Sequence, residues 1–283
     1  MYVSMKGMLD RANRGNYAIM AINCFNLETA KAVIEAAQEL RAPIIINLLQ
    51  DHLKEHLGSH LLTEPIIRMA NEARVEVAIN LDHGSDVGFV KRCLKDGFSS
   101  VMMDASGYPI EENIEITKNM VEFAKIFGAS VEGEIGHIGS VANNMSNDAM
   151  YTDPDLAIDF AQKTGIDALA ISYGSSHGSY PEGHVPKFHF EILDKIKKGT
   201  NMPLVLHGGS GCGEDNIRKS VERGINKINV GSDFMKAHVD YIYERLKRDP
   251  TINYFDLIHQ SMDAGRKEVK RYIKLSKSTG KSL

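Results

Sequence analysis

No apolar run in the chain approaches the roughly 20 residues that a membrane-spanning helix needs, and the first residues, Met1 to Arg14, have no signal-peptide apolar core. No membrane partner is expected. Cysteine is scarce. Cys24, Cys93 and Cys212 form an odd, scattered set with no CxxC spacing, which excludes a disulfide framework and a thiolate zinc ribbon. Free thiols in a reducing cytosol, and so a cytoplasmic protein, are expected. Cys212 follows a glycine-rich loop and could be a nucleophile; a small residue capping a helix is the plainer reading. There is no excess of positive charge. Lys and Arg total 33 against 37 Asp and Glu, for a net charge of −4 and a pI near 6.3. That argues against a nucleic-acid partner but leaves room for a small anionic substrate at a locally positive site. Linkers rich in Pro, Ser or Gly are also missing, so residues 1–283 are expected to form one domain. With 43% hydrophobic and 25% charged residues, the chain can build a large core, and disorder is excluded.

What is present is alternation. Short apolar runs at 18–24, 43–49, 75–82, 99–104, 130–135, 168–173, 203–207 and 227–231 lack polar alternation, as expected of strands buried on both faces. Helical periodicity lies between them. Leu27 to Leu40 sets Ala30, Val33, Ile34 and Ala37 on one stripe. Glu111 to Phe127 turns Ile114, Ile116, Met120, Phe123 and Ala124 inward. Asp153-Pro154 opens a further helix with an acidic cap and a first-turn proline, and Asp215 to Arg223 and Phe234 to Leu246 supply two more. Gly97, Gly128, Gly165 and Gly224 fall where helices should end. Eight βα repeats predict a (β/α)₈ barrel, the α/β fold also called a TIM barrel. A doubly wound open sheet is the lesser alternative, since eight regular repeats would be unusual there. Tyr254 to Tyr272 predicts one or two extra C-terminal helices. Lys274 to Leu283 is basic and is read as a tail that frays or packs on another subunit.

Four strands end in groups suited to a divalent metal: Asp82-His83-Gly84, Glu132-Gly133-Glu134, Ser176-His177-Gly178 and His207-Gly208. The carboxyl end of barrel strands is where catalytic groups sit. Three neutral imidazoles, His83, His177 and His207, with an open position make a common catalytic zinc set. Three independent hydrogen-bonding histidines are the alternative, and the adjoining glycines and carboxylates favour the metal. Neighbouring strand residues point to opposite faces. Asp82 and His83 therefore reach one site only if the strand ends between them, a turn that Gly84 would permit. Asp82 would then exchange protons beside the metal. Glu132 and Glu134 share one face by the period of two. Glu134 is the candidate fourth or alternative ligand, and Asp104 could support the site. Of the eleven histidines, His52, His56 and His60 step by four along what reads as a solvated helix, although zinc there is possible. His184 and His189 read as incidental, and His137 as a substrate contact.

Gly208-Gly209-Ser210-Gly211 leaves the seventh strand for a helix, and Gly231-Ser232-Asp233 leaves the eighth. These are the positions of the usual phosphate site of a barrel, where glycines let backbone N–H groups approach the oxygens and helix N-termini favour negative charge. Asn229 can bond a hydroxyl of the same ligand. Two ordinary turns, with Ser210 and Ser232 as caps, are the alternative. Lys227 would be the one tempting Schiff-base lysine; a structural role at the start of the eighth strand is preferred.

With LDHG at 81–84, VEGEIG at 131–136, SSHGSY at 175–180, LHGGSG at 206–211 and NVGSD at 229–233, the chain resembles the class II, metal-dependent ketose-bisphosphate aldolases of the fructose- and tagatose-bisphosphate type. The segment 22–46 is similar to the family's first unit. The resemblance implies reversible retro-aldol cleavage of a ketose 1,6-bisphosphate to dihydroxyacetone phosphate and glyceraldehyde 3-phosphate. It implies His83, His177 and His207 as zinc ligands, with Glu134 close to the metal, and Asp82 as the group exchanging a proton with the hydroxyl at the cleaved bond. It implies Gly178, Gly208, Ser210, Asn229 and Ser232 as holding the phosphorylated half, and Asn23, Gly209 and Gly231 are counted with them. A monovalent cation, Na⁺ or K⁺, near the phosphate, a homodimer or homotetramer, and Arg271 as a distal-phosphate contact supplied to a neighbouring subunit are also implied. Imidazole ligands suit zinc, cobalt and iron alike.

Two departures stand out. The loop GHIGSVANNMSND (136–148) has Ala142, Asn143 and Asn144 where the family carries acids, leaving only Asp148. The second strand ends in Asn47-Leu48-Leu49-Gln50 where the family has small polar residues. An aldolase for another phosphorylated ketose or sugar acid, for example of deoxy-phosphogluconate type, and a non-catalytic phosphosugar-binding barrel therefore remain as alternatives.

Overall fold

In the computed structural model, which describes residues 1–136, 151–178, 180–181 and 183–283, eight parallel strands close in sequence order, β1 to β8. They are β1 Ile19–Asn23, β2 Ile44–Leu49, β3 Val77–Gly84, β4 Ser100–Met103, β5 Ser130–Ile135, β6 Ala168–Ile171, β7 Leu204–Leu206 and β8 Ile225–Val230. Every expected run overlaps a strand, although β3 runs on to Gly84 and β8 begins two residues early at Ile225, and the fold is a (β/α)₈ barrel. His137, Ala142, Asn143, Asn144 and Asp148 lie outside the described residues.

The helices are α1 Met5–Gly15, α2 Leu27–Leu40, α3 Gln50–Glu55, α4 Ser59–Glu72, α5 Val87–Lys95, α6 Ile110–Lys125, α7 Pro154–Thr164, α8 Phe190–Thr200, α9 Glu214–Glu222, α10 Ser232–Arg248 and α11 Tyr254–Leu275. Asp153 caps α7 by accepting from Asp155 N and Leu156 N, as its position before Pro154 predicts. The helix-ending glycines adopt the left-handed backbone the reading requires: Gly97 at φ 103°, Gly128 at 65°, Gly165 at 69° and Gly224 at 106°.

Two cores result. The outer one lies between strands and helices. The inner one fills the lower half of the barrel with Ile19, Ala21, Ile45, Ala78, Met102, Ala168, Ala170 and Val205, and Met5, Met8 and Leu9 of α1 close its floor. The period of two then carries the interior face upward into polar residues: Asn47, Asn80, Glu132 and Lys227, then Asn23, Asp82, Glu134, His207 and Asn229, nearly all of them buried. A dry floor beneath a polar mouth positions the site.

The C-terminal tail corrects its expectation. α11 is a single helix, and the residues after it pack on this chain's own barrel. Ala18 N donates to Ser276 O at 2.9 Å, Gly280 N to Leu40 O at 2.9 Å and Ser282 N to Arg41 O at 3.1 Å, and Glu76 N donates to Ser282 Oγ at 2.8 Å. These bonds satisfy backbone groups at the base of the barrel that would otherwise be open.

Candidate active site

At the carboxyl ends of the strands a cavity of about 490 Å³ is lined by Asn23, Asp82, His83, Asp104, Glu134, His177, Gly178, His207, Gly208, Ser210, Asn229, Gly231 and Ser232, and also by Leu49, Asp51, His52 and Met235. Residues as far apart in sequence as Asn23 and Met235 meet there because parallel strands of one barrel all end at one mouth.

The three imidazoles converge. His83 Nε2 lies 3.2 Å from His177 Nε2 and 3.0 Å from His207 Nδ1. Their tautomers follow from the groups behind them. Lys227 Nζ donates to Glu132 Oε2 at 2.7 Å, and both side chains are fully buried. Burial raises the Glu132 carboxyl, but the charges of Lys227 and His207 and the hydrogen bond from His207 bring it below its ordinary range. The carboxylate is therefore an acceptor, and His207 Nε2 must donate to its Oε1, 2.7 Å away. That leaves the lone pair of His207 Nδ1 facing His83.

His83 Nδ1 in turn donates to Asp104 Oδ2 at 2.8 Å, and Asp104 accepts from Ser106 N and Oγ. The remaining nitrogen of His83 thus faces the lone pair of His207 Nδ1, and a proton or a metal ion is needed between them. Burial pulls this imidazole down, but the Asp104 hydrogen bond and the charges of Asp82, Glu134 and Asp104 outweigh it and hold the ring up at about 10. The same surroundings suit a dication. Tetrahedral zinc with Zn–N of about 2.0–2.1 Å sets its nitrogens about 3.3 Å apart. The donor atoms of His83, His177 and His207 lie within 4.8 Å of one another, as do those of His83, Asp104 and Glu134. The set fits a metal held by three histidines, with Asp104 orienting one and Glu132 another, the usual arrangement behind metal-bound imidazoles.

Asp82 sits beside this cluster. Its Oδ2 accepts from Asn23 Nδ2 at 2.7 Å and its Oδ1 from Asn229 Nδ2 at 3.0 Å. Burial raises this carboxyl, but the neighbouring charges of His83, His207 and Lys227, with the Asn23 hydrogen bond, carry it below its ordinary value. Both amides donate to it, so Asp82 stands as a buried carboxylate acceptor at the cavity wall. The turn that aims both Asp82 and His83 inward is not made by Gly84. His83 itself adopts φ 48°, and the β3–β4 register shifts between Leu81 and Gly84. Gly84 serves close packing instead, since a Cβ there would lie 2.6 Å from both Met102 O and Val90 Cγ2. A left-handed non-glycine residue at a mouth of this kind is local strain held by its surroundings.

The glycine loops meet at the other side. Gly208 has φ 63°, and a Cβ there would lie 2.4 Å from Ser176 O. Asp233 N donates to Ser210 Oγ at 3.1 Å and Gly211 N to Asp233 Oδ2 at 3.1 Å, which ties the loop after β7 to the start of α10. That helix, beginning at Ser232, presents its N-terminus to the cavity. The GGSG run does not lead straight into a helix, because Cys212 and Gly213 intervene before α9. The Asn229 Oδ1 is buried with no partner among the described residues.

Two expectations need correction. Lys227 does not stand at the start of the eighth strand; it lies within β8, fully buried, and balances Glu132. His52 is not on a continuous solvated helix: α3 stops at Glu55, α4 starts at Ser59, and His52 lines the cavity. Arg271 lies outside this chain's own cavity, bonded to Glu268 at 2.5 Å and to Glu214 at 3.3 Å, a position that leaves its implied contact with a neighbouring subunit's substrate open. Cys212 donates to Gly208 O at 2.9 Å, and burial pushes its thiol up to about 12, which favours the structural reading over the nucleophile. His184 stacks on Tyr180 and His189 contacts Glu191, both away from the imidazole cluster. Asp51 and Met235 were not anticipated, whereas Leu49 falls in the 47–50 segment that departs from the family. The Lys227–Asn229 and Glu132–Glu134 spacings, each two apart on facing strands, were the signal for the buried ion pair.

Three convergent histidines beside a buried carboxylate, at a barrel mouth that also holds a glycine-lined helix start, fit a divalent-metal site next to an anion-binding loop. The profile of the family described as fructose-bisphosphate aldolase class-II matches residues 3–281. The fructose-bisphosphate aldolase of Geobacillus stearothermophilus is 38% identical over 253 residues, covering 88% of each chain. Among solved structures, the YdjI aldolase of Escherichia coli K12 superposes with a TM-score of 0.89 at 30% identity over the full length of both chains. A putative fructose-1,6-bisphosphate aldolase from Coccidioides immitis gives 0.84 at 28%, covering 97% of this chain and 96% of that one. The chain belongs to the class II fructose-bisphosphate aldolase family and is a metal-dependent aldolase, a carbon–carbon lyase of carbohydrate metabolism.

Proposed function

We infer that the chain catalyses reversible retro-aldol cleavage of a ketose 1-phosphate to dihydroxyacetone phosphate and an aldehyde. Fructose and tagatose 1,6-bisphosphates, which would release glyceraldehyde 3-phosphate, come first by family resemblance. The observation that carries this reading is the convergence of His83, His177 and His207 beside the ionised Asp82. Zinc held by those histidines, with Glu134 near it, would polarise the substrate carbonyl as a Lewis acid and stabilise the charge left on the ketone-bearing half.

The chain's own groups do the rest. Gly208, Gly209 and Ser210, with Gly231 and Ser232 at the start of α10, hold the phosphate, and Gly178 adjoins them. Asp82 takes the proton of the hydroxyl next to the breaking bond. The O–H electron pair becomes the aldehyde C=O, the C–C pair passes to the ketone-bearing half, and that carbon then takes up a proton. Asn23 and Asn229 keep Asp82 oriented and ionised for this transfer. No Schiff-base lysine is required. Lys227 is committed to Glu132.

Zinc as the native ion, a Na⁺ or K⁺ beside the phosphate, a homodimer or homotetramer and a cytoplasmic setting belong to the same reading. No described helix is long and apolar enough to cross a membrane. The experiment is a coupled assay of dihydroxyacetone phosphate release from fructose and tagatose bisphosphates and their 1-phosphates, run on metal-loaded and chelated protein. Zinc-restored release from any of them is expected. Loaded protein that turns over none of them would sink the reading.

A further inference from the structure

The strand order gives the mouth two ends. The glycine loops after β7 and β8 form one. Leu49, Asp51 and His52 enter the cavity from the end of β2, which lies beyond β8 and β1 in the closed order. A ketose anchored by its 1-phosphate at the first end, with its reacting carbons at the histidines and Asp82, extends its remaining carbons toward the second.

A 1,6-bisphosphate would bring a second phosphate there, carrying about −1.5 to −2 charges at neutral pH. Among the described residues lining the cavity there is neither lysine nor arginine; the charged groups are Asp51, Asp82, Asp104 and Glu134, with four imidazoles. Residues 137–150, Ser179 and Glu182 contain no lysine or arginine either. The cation of α3, Lys54, is held by Asp86 at 2.9 Å. The short helix itself is braced: Gln50 donates to Ser85 Oγ at 2.9 Å and accepts from Asp86 N at 3.0 Å. Asp51 is exposed at this rim, where a carboxylate would repel a phosphate and accept from a hydroxyl. His52 Nδ1 is buried with no hydrogen-bond partner among the described residues, and Leu49 offers an apolar surface to a carbon chain.

We propose that the substrate is a ketose 1-phosphate with an uncharged distal half, so that the aldehyde released is an unphosphorylated hydroxyaldehyde whose hydroxyls meet Asp51 and His52. This rests on the retro-aldol reading of the site. Selectivity comes from mismatch as much as from contact, since a charged distal group would be left without a counter-charge.

The test uses the full-length, zinc-reconstituted protein in the condensation direction. Dihydroxyacetone phosphate is paired with glycolaldehyde, both enantiomers of glyceraldehyde, and glyceraldehyde 3-phosphate. In cleavage, fructose 1-phosphate is set against fructose 1,6-bisphosphate. At least about a tenfold higher kcat/KM for the best unphosphorylated partner is expected. Asp51→Lys should move that ratio toward the phosphorylated partner by about tenfold. Preference for the phosphorylated partner would overturn the proposal and mean that a cation arrives from outside this chain; an Asp51→Lys ratio that does not move would overturn the role of the rim. Failure with every unphosphorylated aldehyde also overturns it. Hydrogen–deuterium exchange at the reacting carbon of dihydroxyacetone phosphate alone separates the two failures: if exchange persists, the retro-aldol reading stands; if it is lost, that reading falls as well.

Discussion

Asp82 is one carboxylate among several at the mouth, and its surroundings give it a distinct task. Two asparagine amides and nearby cationic groups keep it ionised although it is buried. Asp82→Ala should lower kcat on the order of 10²–10⁴-fold, the usual worth of a positioned proton-transfer group, while metal content measured by emission spectrometry stays at the wild-type level. Glu132 acts through His207 by fixing which ring nitrogen is free, and Lys227 keeps Glu132 charged. Glu132→Gln is expected to weaken zinc affinity about 10–100-fold in a competition titration with a chelating dye. Lys227→Met leaves a buried carboxylate unpaired and should cost about 3–5 kcal/mol of stability in denaturant unfolding. Unchanged affinity in the first, or unchanged stability in the second, would mean that the buried chain Lys227–Glu132–His207 carries no such role.

At the scale of elements, the strands were legible because they are buried on both faces and read as uninterrupted apolar runs, and the helix ends because glycine marks a left-handed turn. The positions of His83, His177 and His207 at strand ends were equally legible. The rest depended on tertiary contact. α1 closes the barrel floor with Met5, Met8 and Leu9, yet its sequence gives no hint that it lies beneath a barrel. The tail from Ser276 onward looks solvated by composition, but its backbone finds acceptors on Leu40 and Arg41. The turn at His83 could not be read from LDHG, because the glycine that suggests it is used for packing. His52 was missed for a related reason. Its spacing to His56 and His60 suits one helix, whereas the chain breaks between α3 and α4. Truncation after Leu275 removes the bonds to Ala18, Leu40, Arg41 and Glu76 and is expected to lower Tm by several degrees, about 2–4 °C for each kcal/mol lost in a chain of this size. A truncated protein melting with the wild type would show that the tail contributes no stability.

For the molecule as a whole, one lysine at the base of the barrel links stability to pH without touching the active site. Lys197 Nζ donates to Asn13 Oδ1 at 2.5 Å, Asn226 Oδ1 at 2.8 Å and Met202 O at 2.9 Å, all neutral acceptors, and burial pushes it down to about 8 from 10.5. Between those values the unfolded chain binds more protons than the folded one, so this group makes stability rise with pH from about 8 to 10.5 and adds nothing further above that. Thermal melts of wild type and Lys197→Met should therefore diverge across that window, with the rise missing in the variant; parallel curves would refute the assignment. The central claim, however, concerns the metal and the aldol bond. The most direct measurement is dihydroxyacetone phosphate release on one preparation assayed as chelated, as zinc-restored and as zinc-restored Asp82→Ala, with bound zinc quantified in each. Activity that vanishes with chelator, returns with about one zinc per chain and is lost again in Asp82→Ala at full zinc occupancy is the expected result. Release that survives complete removal of metal would contradict the account.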